Sequence, residues 1–343
     1  LANIVALFDN IFAVARAVNN RIVFSEGHDP RVVKAAIMAI RDGLAMPILI
    51  GQRSRILREI KIHGAFSSCI TIVDPGDTGT NNFYAEAYSK LPQYEGIALA
   101  TAKRAVADPL ILAALMVRLG KAEGTISGAV ATTADTIRAA IQIIGPGPEV
   151  ACVSSFFLML LDQPHHPKQG IMCFADCGLI VEPSVSELAQ IAVSTAESFQ
   201  VLTGETPRIA MLSFSTNGSA RHERARRMIE ATALVQSIKP DLLIDGEIQF
   251  DAAIIPDVAA AKSPGSPLHG NANIFVFPSL EAANIGYKIA QRVGGVTAIG
   301  PVVQGLAKPA NDLSRGCSIQ DIYQMIAVTC AQANRGKMCR ALE

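Results

Sequence analysis

The sequence predicts a two-domain α/β protein with mostly parallel sheets and helices on both faces, on three observations. Short β-branched runs alternate with longer helical patterns almost from end to end, the arrangement of parallel strands joined by crossover helices. Half of the 343 residues are hydrophobic and only 17% are charged, enough apolar material for one large or two modest cores. Two breaks, Gly145-Pro146-Gly147-Pro148 and Gly300-Pro301, punctuate the pattern and predict crossings between domains.

From the start of the chain, residues 1–20 are apolar in places but interrupted by Asp9 and Arg16, with neither a basic leader nor a small-residue cleavage site, and read as an amphipathic helix. Residues 21–24 are the first predicted strand. Asp29-Pro30 then supplies an N-cap and a proline at the first helical position, for a helix to about residue 42. Further strands are predicted at 47–51, 71–73, 124–127, 150–154, 171–174, 208–214, 242–245, 273–277 and 296–299, most of them separated by helices. Residues 163–170 read as a hairpin-like loop, in which His165 and His166 would point oppositely on extended chain and so mark surface rather than metal.

Thirty basic and thirty acidic side chains give a formal net charge of zero, so no global field draws nucleic acid or an anionic membrane. No apolar run reaches the roughly 18 residues of a membrane span. The seven cysteines, Cys69, Cys152, Cys173, Cys177, Cys317, Cys330 and Cys339, are odd in number and several sit in apolar runs, which favours a reducing, cytoplasmic compartment. Cys173 and Cys177 lack a second pair or a nearby histidine, so both are read as strand residues and no metal is expected.

Four segments carry candidate chemistry. Residues 311–322 place Ser314, Arg315, Cys317 and Asp321 in one short loop, where a hydroxyl beside a fixed cation suits a phosphoryl group or developing oxyanion and Asp321 can accept a proton. Ser318-Ile319-Gln320-Asp321 also fits a helix-opening cap, and spacing alone leaves both roles open. Residues 127–138 read as a strand turning through small residues into a helix, offering backbone N–H groups to an anion with Thr132, Thr133 and Arg138 alongside. A second such turn, Ser213-Phe214-Ser215-Thr216-Asn217-Gly218-Ser219, is hydroxyl-rich and could hold a phosphate, whereas Arg224, Arg226 and Arg227 beyond it read as a solvated helix face. Asp245, Glu247 and Asp251 follow an apolar strand and fit acid–base or metal chemistry no better than strand termination and capping.

Taken in order, Asp245-Gly246-Glu247-Ile248-Gln249-Phe250-Asp251, Pro264-Gly265-Ser266, Asn271-Ala272-Asn273, Ala283-Asn284-Ile285-Gly286-Tyr287-Lys288, Gly300-Pro301, Gln304-Gly305-Leu306-Ala307-Lys308-Pro309 and Asp312-Leu313-Ser314-Arg315-Gly316-Cys317 resemble the phosphate acetyltransferase (phosphotransacetylase) family, over residues 21–333. The resemblance implies reversible acetyl transfer between acetyl phosphate and coenzyme A, with coenzyme A as co-substrate, no prosthetic group and no metal. It implies a fold similar to isocitrate and isopropylmalate dehydrogenases, a homodimer, a discontinuous domain of residues 1–149 plus 303–343, a second domain of 150–302, and catalysis in the cleft between them. It places the proposed base on Asp321, the oxyanion donor on Ser314 and the phosphate-stabilising cation on Arg315, with Arg138 in substrate binding and the turn holding Ser213 and Ser215 in a matching segment; Cys317 receives no covalent role. Where the family commonly carries an arginine, residues 91–96 offer Pro92, so one substrate contact is expected to be missing or supplied differently. Rivals are a phosphate butyryltransferase and a non-catalytic acetyl-coenzyme A-sensing module.

Overall fold

From the strand Arg21–Phe24 the chain builds one parallel sheet in two directions, and that reversal places the candidate loops. The computed structural model describes residues 2–64, 70–148 and 150–339. Two compact units divide the chain: Ile11–Gly147 with Leu306–Glu343, and Leu1–Asn10 with Pro148–Gly305. The elements run α1 (Ala2–Arg16), β1 (Arg21–Phe24), α2 (Pro30–Arg41), β2 (Met46–Ile50), α3 (Arg53–Ile62), β3 (Thr71–Val73), α4 (Thr78–Ser89), α5 (Leu99–Val106), α6 (Pro109–Arg118), β4 (Gly124–Ser127) and α7 (Thr133–Ile143). They continue with β5 (Ser154–Leu161), β6 (Gly170–Ala175), α8 (Val185–Thr203), β7 (Arg208–Leu212), α9 (Glu223–Ile238), β8 (Leu243–Ile248), α10 (Phe250–Ile254), α11 (Pro256–Lys262), β9 (Ile274–Val276), α12 (Leu280–Arg292), β10 (Thr297–Gln304), β11 (Ala310–Asp312) and α13 (Ile319–Cys339).

The first unit holds a five-stranded sheet in the order β11-β4-β1-β2-β3, parallel throughout. After β1 the chain winds to β2 and β3 on one side, then crosses to β4 and β11 on the other. Such a reversal of strand order opens a crevice at the carboxyl ends of the two central strands, here β1 and β4. The sheet is anchored by α6, in which Leu112 to Val117 are all buried, and by α2, whose Val32, Val33, Ala35, Ala36 and Ala39 form one apolar face. Asp29 caps α2 by accepting from Arg31 N, and Pro30 opens it, as the sequence predicts.

The other unit holds a six-stranded sheet, β10-β5-β6-β9-β7-β8, with β10 and β5 antiparallel to their neighbours and the rest parallel. Its core includes Phe174, whose ring meets those of Phe250, Phe275 and Phe277.

The structure corrects several expectations. The strand predicted at 150–154 is instead β5, eight residues all buried, because the continuous apolar run after Ser155 is flanked on both sides by pairing strands. Gly300-Pro301 does not break the chain: β10 runs across it, and the register shift between Ile299 and Val302 marks a bulge where proline's missing N–H costs no ladder bond. β11 has no counterpart among the strands the sequence predicts. Cys173 lies in β6, but Cys177 lies past its end, donating to Phe174 O at 3.2 Å. His165 and His166 do not diverge; their rings are 4.6 Å apart and both Nε2 atoms reach Gly294 O, at 2.9 and 3.0 Å. Cys69 lies outside the described residues, as does the side chain of Cys339.

Candidate active site

Three connections at the carboxyl ends of β1, β4 and β11 carry the site residues of the first unit. After β11, Leu313 N donates to Ser127 O, extending the ladder by one bond, and the chain then turns sharply with Cys317 N donating to Ser314 O at 2.9 Å. This turn leaves Ser314, Arg315 and Gly316 exposed while Leu313 and Cys317 are buried on either side. Ser314 Oγ accepts from Gly316 N at 3.3 Å, so its own proton is free to be donated. The Arg315 guanidinium makes no hydrogen bond or ion pair among the described residues. Burial pushes the Cys317 thiol up to about 11, so it stays neutral near pH 7.

Asp321 opens α13 in a reciprocal cap: its Oδ2 accepts from Ser318 N at 2.8 Å, and Ser318 Oγ accepts from Asp321 N at 3.1 Å. The cap reading is therefore present in the molecule. It engages one carboxylate oxygen and leaves the other open to a proton.

The β4–α7 turn has a different arrangement from the open anion cradle the sequence suggests. Glu26, just after β1 and only 8% exposed, accepts from Ala129 N at 2.8 Å, Val130 N at 2.9 Å and Ala131 N at 2.7 Å. An internal carboxylate thus fills the backbone nest. Thr132 caps α7, accepting from Asp135 N and donating to Asp135 Oδ2 at 2.7 Å, and Thr133 donates to Asp312 Oδ2 at 2.6 Å. With both hydroxyl protons given to carboxylates, only acceptor capacity is left on these threonines. Arg138 is paired with Asp135 at 2.7 Å on a mostly exposed helix face. Gly128 sits between strand end and turn with φ +100°, where a Cβ would lie 2.8 Å from Leu313 N, 2.7 Å from Leu313 O and against the Asp312 carboxylate. Only glycine lets β4 and β11 close here.

Asp312 is fully buried, and burial pushes its carboxyl up to about 6 against the opposing pull of the Thr133 hydroxyl. The folded chain therefore holds this proton more tightly than the unfolded chain. The resulting stability is fully present below about pH 4 and is lost as the pH rises through about 6, an effect of at most about 3 kcal/mol. Asp312→Asn is expected to remove that slope, which chemical denaturation at a series of pH values between 4 and 7 measures.

The sequence gives no local signal for the roles of Glu26 and Arg31, whose partners in the two turns lie from about a hundred to nearly three hundred residues away. The segment 91–96 forms a short 3-10 turn, Pro92–Tyr94, with Tyr94 stacked on Tyr88 at 4.3 Å and no cation at Pro92.

Ser213 and Ser215 belong to the other unit. Ser215 Oγ is buried and donates to Glu247 Oε1 at 2.7 Å, and Gly218 N reaches the same oxygen at 2.8 Å, so this turn also encloses an internal carboxylate. Glu247 itself lies in β8, while Asp251 pairs with Lys262 at 2.7 Å. Asp176 shows the same design a third time, accepting from Ser155 Oγ and from Gly178 N, Leu179 N and Ile180 N; burial raises its carboxyl.

Residues 6–330 match the family model for phosphate acetyl/butaryl transferase. The chain belongs to the phosphate acetyl/butaryl transferase family. As a member of the phosphate acetyl/butaryl transferases it is an acyltransferase, similar to a phosphate acetyltransferase of Paracoccus denitrificans at 48% identity over 94% of this chain and 98% of that one. It is also similar to a solved phosphotransacetylase from Streptococcus pyogenes, with TM-score 0.89, 41% identity and coverage of 96% and 98%. The dehydrogenase-like fold relation appears in a candidate 4-hydroxythreonine-4-phosphate dehydrogenase from Salmonella typhimurium, with TM-score 0.51, 13% identity and coverage of 92% and 99%. Among the described residues no helix is long and apolar enough to cross a membrane.

Proposed function

We propose that this chain is a phosphate acetyltransferase that moves an acetyl group reversibly between acetyl phosphate and coenzyme A by direct thiolate attack in a ternary complex. The observation that carries the reading is the Ser314 turn, which presents a free hydroxyl proton and an unpaired guanidinium a few residues before a carboxylate with one open oxygen. Asp321 takes the proton of the coenzyme A thiol, and the thiolate bonds to the acetyl carbon. Ser314 donates to the oxyanion as it forms. The bond from carbon to the phosphate oxygen then breaks, with Arg315 balancing the charge on the departing phosphate. Arg138, Thr132 and Thr133, with Ser213 and Ser215, are the substrate-binding candidates. We assign residues 1–149 with 303–343 to the domain bearing the chemistry and 150–302 to the second, a division that departs from the compact units chiefly at the start of the chain, where the residues up to Asn10 group with Pro148–Gly305.

Five described cysteines, Cys152, Cys173, Cys177, Cys317 and Cys330, are free thiols, which supports a cytoplasmic setting. A homodimer is supported by α12, whose only buried residue is Ala283. Ile285, Ile289 and Val293, four residues apart, are 58%, 56% and 83% exposed and form one apolar stripe. On an antiparallel second copy, Glu281 at one end of the stripe meets the other copy's Arg292. Ile289→Asp is expected to give a monomer by analytical ultracentrifugation; an unchanged sedimentation coefficient rejects this face.

The test of the activity is turnover of coenzyme A with acetyl phosphate and, separately, butyryl phosphate. A kcat/KM at least tenfold higher for acetyl phosphate is the expected result. Faster butyryl transfer makes the chain a butyryltransferase, and binding of acetyl-coenzyme A without turnover makes it a sensing module.

A further inference from the structure

Arg31 carries none of the candidate chemistry, yet two segments of the site hang on it. Its Nη1 donates to Arg315 O at 2.9 Å and Cys317 O at 3.0 Å, and its Nη2 donates to Ala129 O at 2.9 Å. The remaining donors meet the Asp29 carboxylate, Nε to Oδ1 at 3.1 Å and Nη2 to Oδ2 at 2.8 Å. All five N–H groups of the fork are thereby engaged, three of them by backbone carbonyls of the Ser314 turn and the β4–α7 turn. Asp29 is itself fixed, since the same Oδ1 accepts from Arg31 N at 2.8 Å as the cap of α2. Burial alone would raise the Asp29 carboxyl, but its bonds with Arg31 bring it below the ordinary range, so the pair is ionised at neutral pH. The side chain is 30% exposed and holds Cys317 Sγ at 3.8 Å as well.

We propose that Arg31 is a positioning residue for acyl transfer, a planar clamp that fixes the turn bearing Ser314 and Arg315 against the β4–α7 turn. Its engaged donors leave none for a substrate anion. The inference rests on the acyl-transfer reading of the Ser314 turn. A point charge cannot replace the fork, because a single ammonium cannot reach carbonyls of both segments and a bidentate carboxylate at once. A loosened turn misplaces the oxyanion donor, and an error of about 1 Å in such geometry costs on the order of 100-fold in rate.

The test is Arg31→Lys and Arg31→Gln in the full chain, with steady-state kinetics for both substrates and amide hydrogen exchange of residues 314–317. The expected result is a fall in kcat of about 10- to 100-fold in both variants, KM values for coenzyme A and acetyl phosphate within about threefold of the parent, and faster exchange confined to the two turns. Full kcat in Arg31→Lys, or a tenfold rise in either KM with kcat preserved, overturns it and makes Arg31 a charge that contacts substrate. Should both variants fail to fold, Asp29→Asn loosens one side of the clamp and is expected to lower kcat with KM unchanged; normal kcat and normal exchange there overturn the clamp. If the parent chain shows no turnover, the functional reading fails while exchange in the same variants still decides the clamp.

Discussion

Asp321→Asn is expected to lower kcat by about 100- to 1,000-fold while the chain remains folded. General-base catalysis by a positioned side chain contributes about 10²- to 10⁴-fold, and an amide at this place accepts no proton at neutral pH. The cap is mostly preserved in the variant, because an asparagine oxygen can still accept from Ser318 N as Asp321 Oδ2 does. Loss of such a cap costs about 1 kcal/mol at the most common end of its range, too little to empty the folded state. Kinetics normalised to folded protein separate the two roles: near-normal kcat would leave Asp321 as a helix cap and nothing more. Because the open oxygen and the capping oxygen belong to one carboxylate, the same residue can serve both purposes without conflict.

Ser314→Ala is expected to cost about 100- to 1,000-fold in kcat, or about 3 to 4 kcal/mol of transition-state stabilisation, with both KM values little changed. The hydroxyl is exposed and its one intramolecular bond is the long acceptance from Gly316 N, so its removal leaves no buried group unsatisfied. Thermal unfolding should therefore coincide with that of the parent chain. A rise in KM for acetyl phosphate with kcat intact would instead assign Ser314 to ground-state binding.

Most of the parallel architecture is legible in the sequence because its strands are short, apolar and separated by helices with recognisable caps. Asp29-Pro30 and Ser318 with Asp321 are examples where local chemistry and the folded chain agree. β11 escapes such a reading because it is three residues long, two of them polar, and exists only through its pairing with β4. The same reason hides Glu26 and Arg31. Glu26 looks like a surface carboxylate at the end of a strand until the fold brings three N–H groups onto it, and Arg31 looks like an ordinary residue in the first helical turn. The Ser314 segment is legible because its chemistry is local to a few consecutive residues, whereas the parts that hold it in place are long-range.

A recurrent feature explains why the turn at 128–132 departs from a simple anion cradle. Glu26, Asp176 and Glu247 each lie buried near the end of a strand and each accept at least one backbone N–H of a turn. Such nests are costly when left unpaired in a dry interior, and an internal carboxylate satisfies them permanently. On the proposed function, phosphate is left to side chains, with exposed Arg315 and Arg138 as the candidates.

The most direct measurement is exchange of radiolabelled phosphate into acetyl phosphate by the purified chain, with coenzyme A omitted. Transfer straight from phosphate to thiolate gives no exchange without coenzyme A and rapid exchange once it is added. Exchange at a rate comparable to turnover in its absence would mean that the acetyl group first rests on the protein, and would contradict the roles given to Ser314, Arg315 and Asp321.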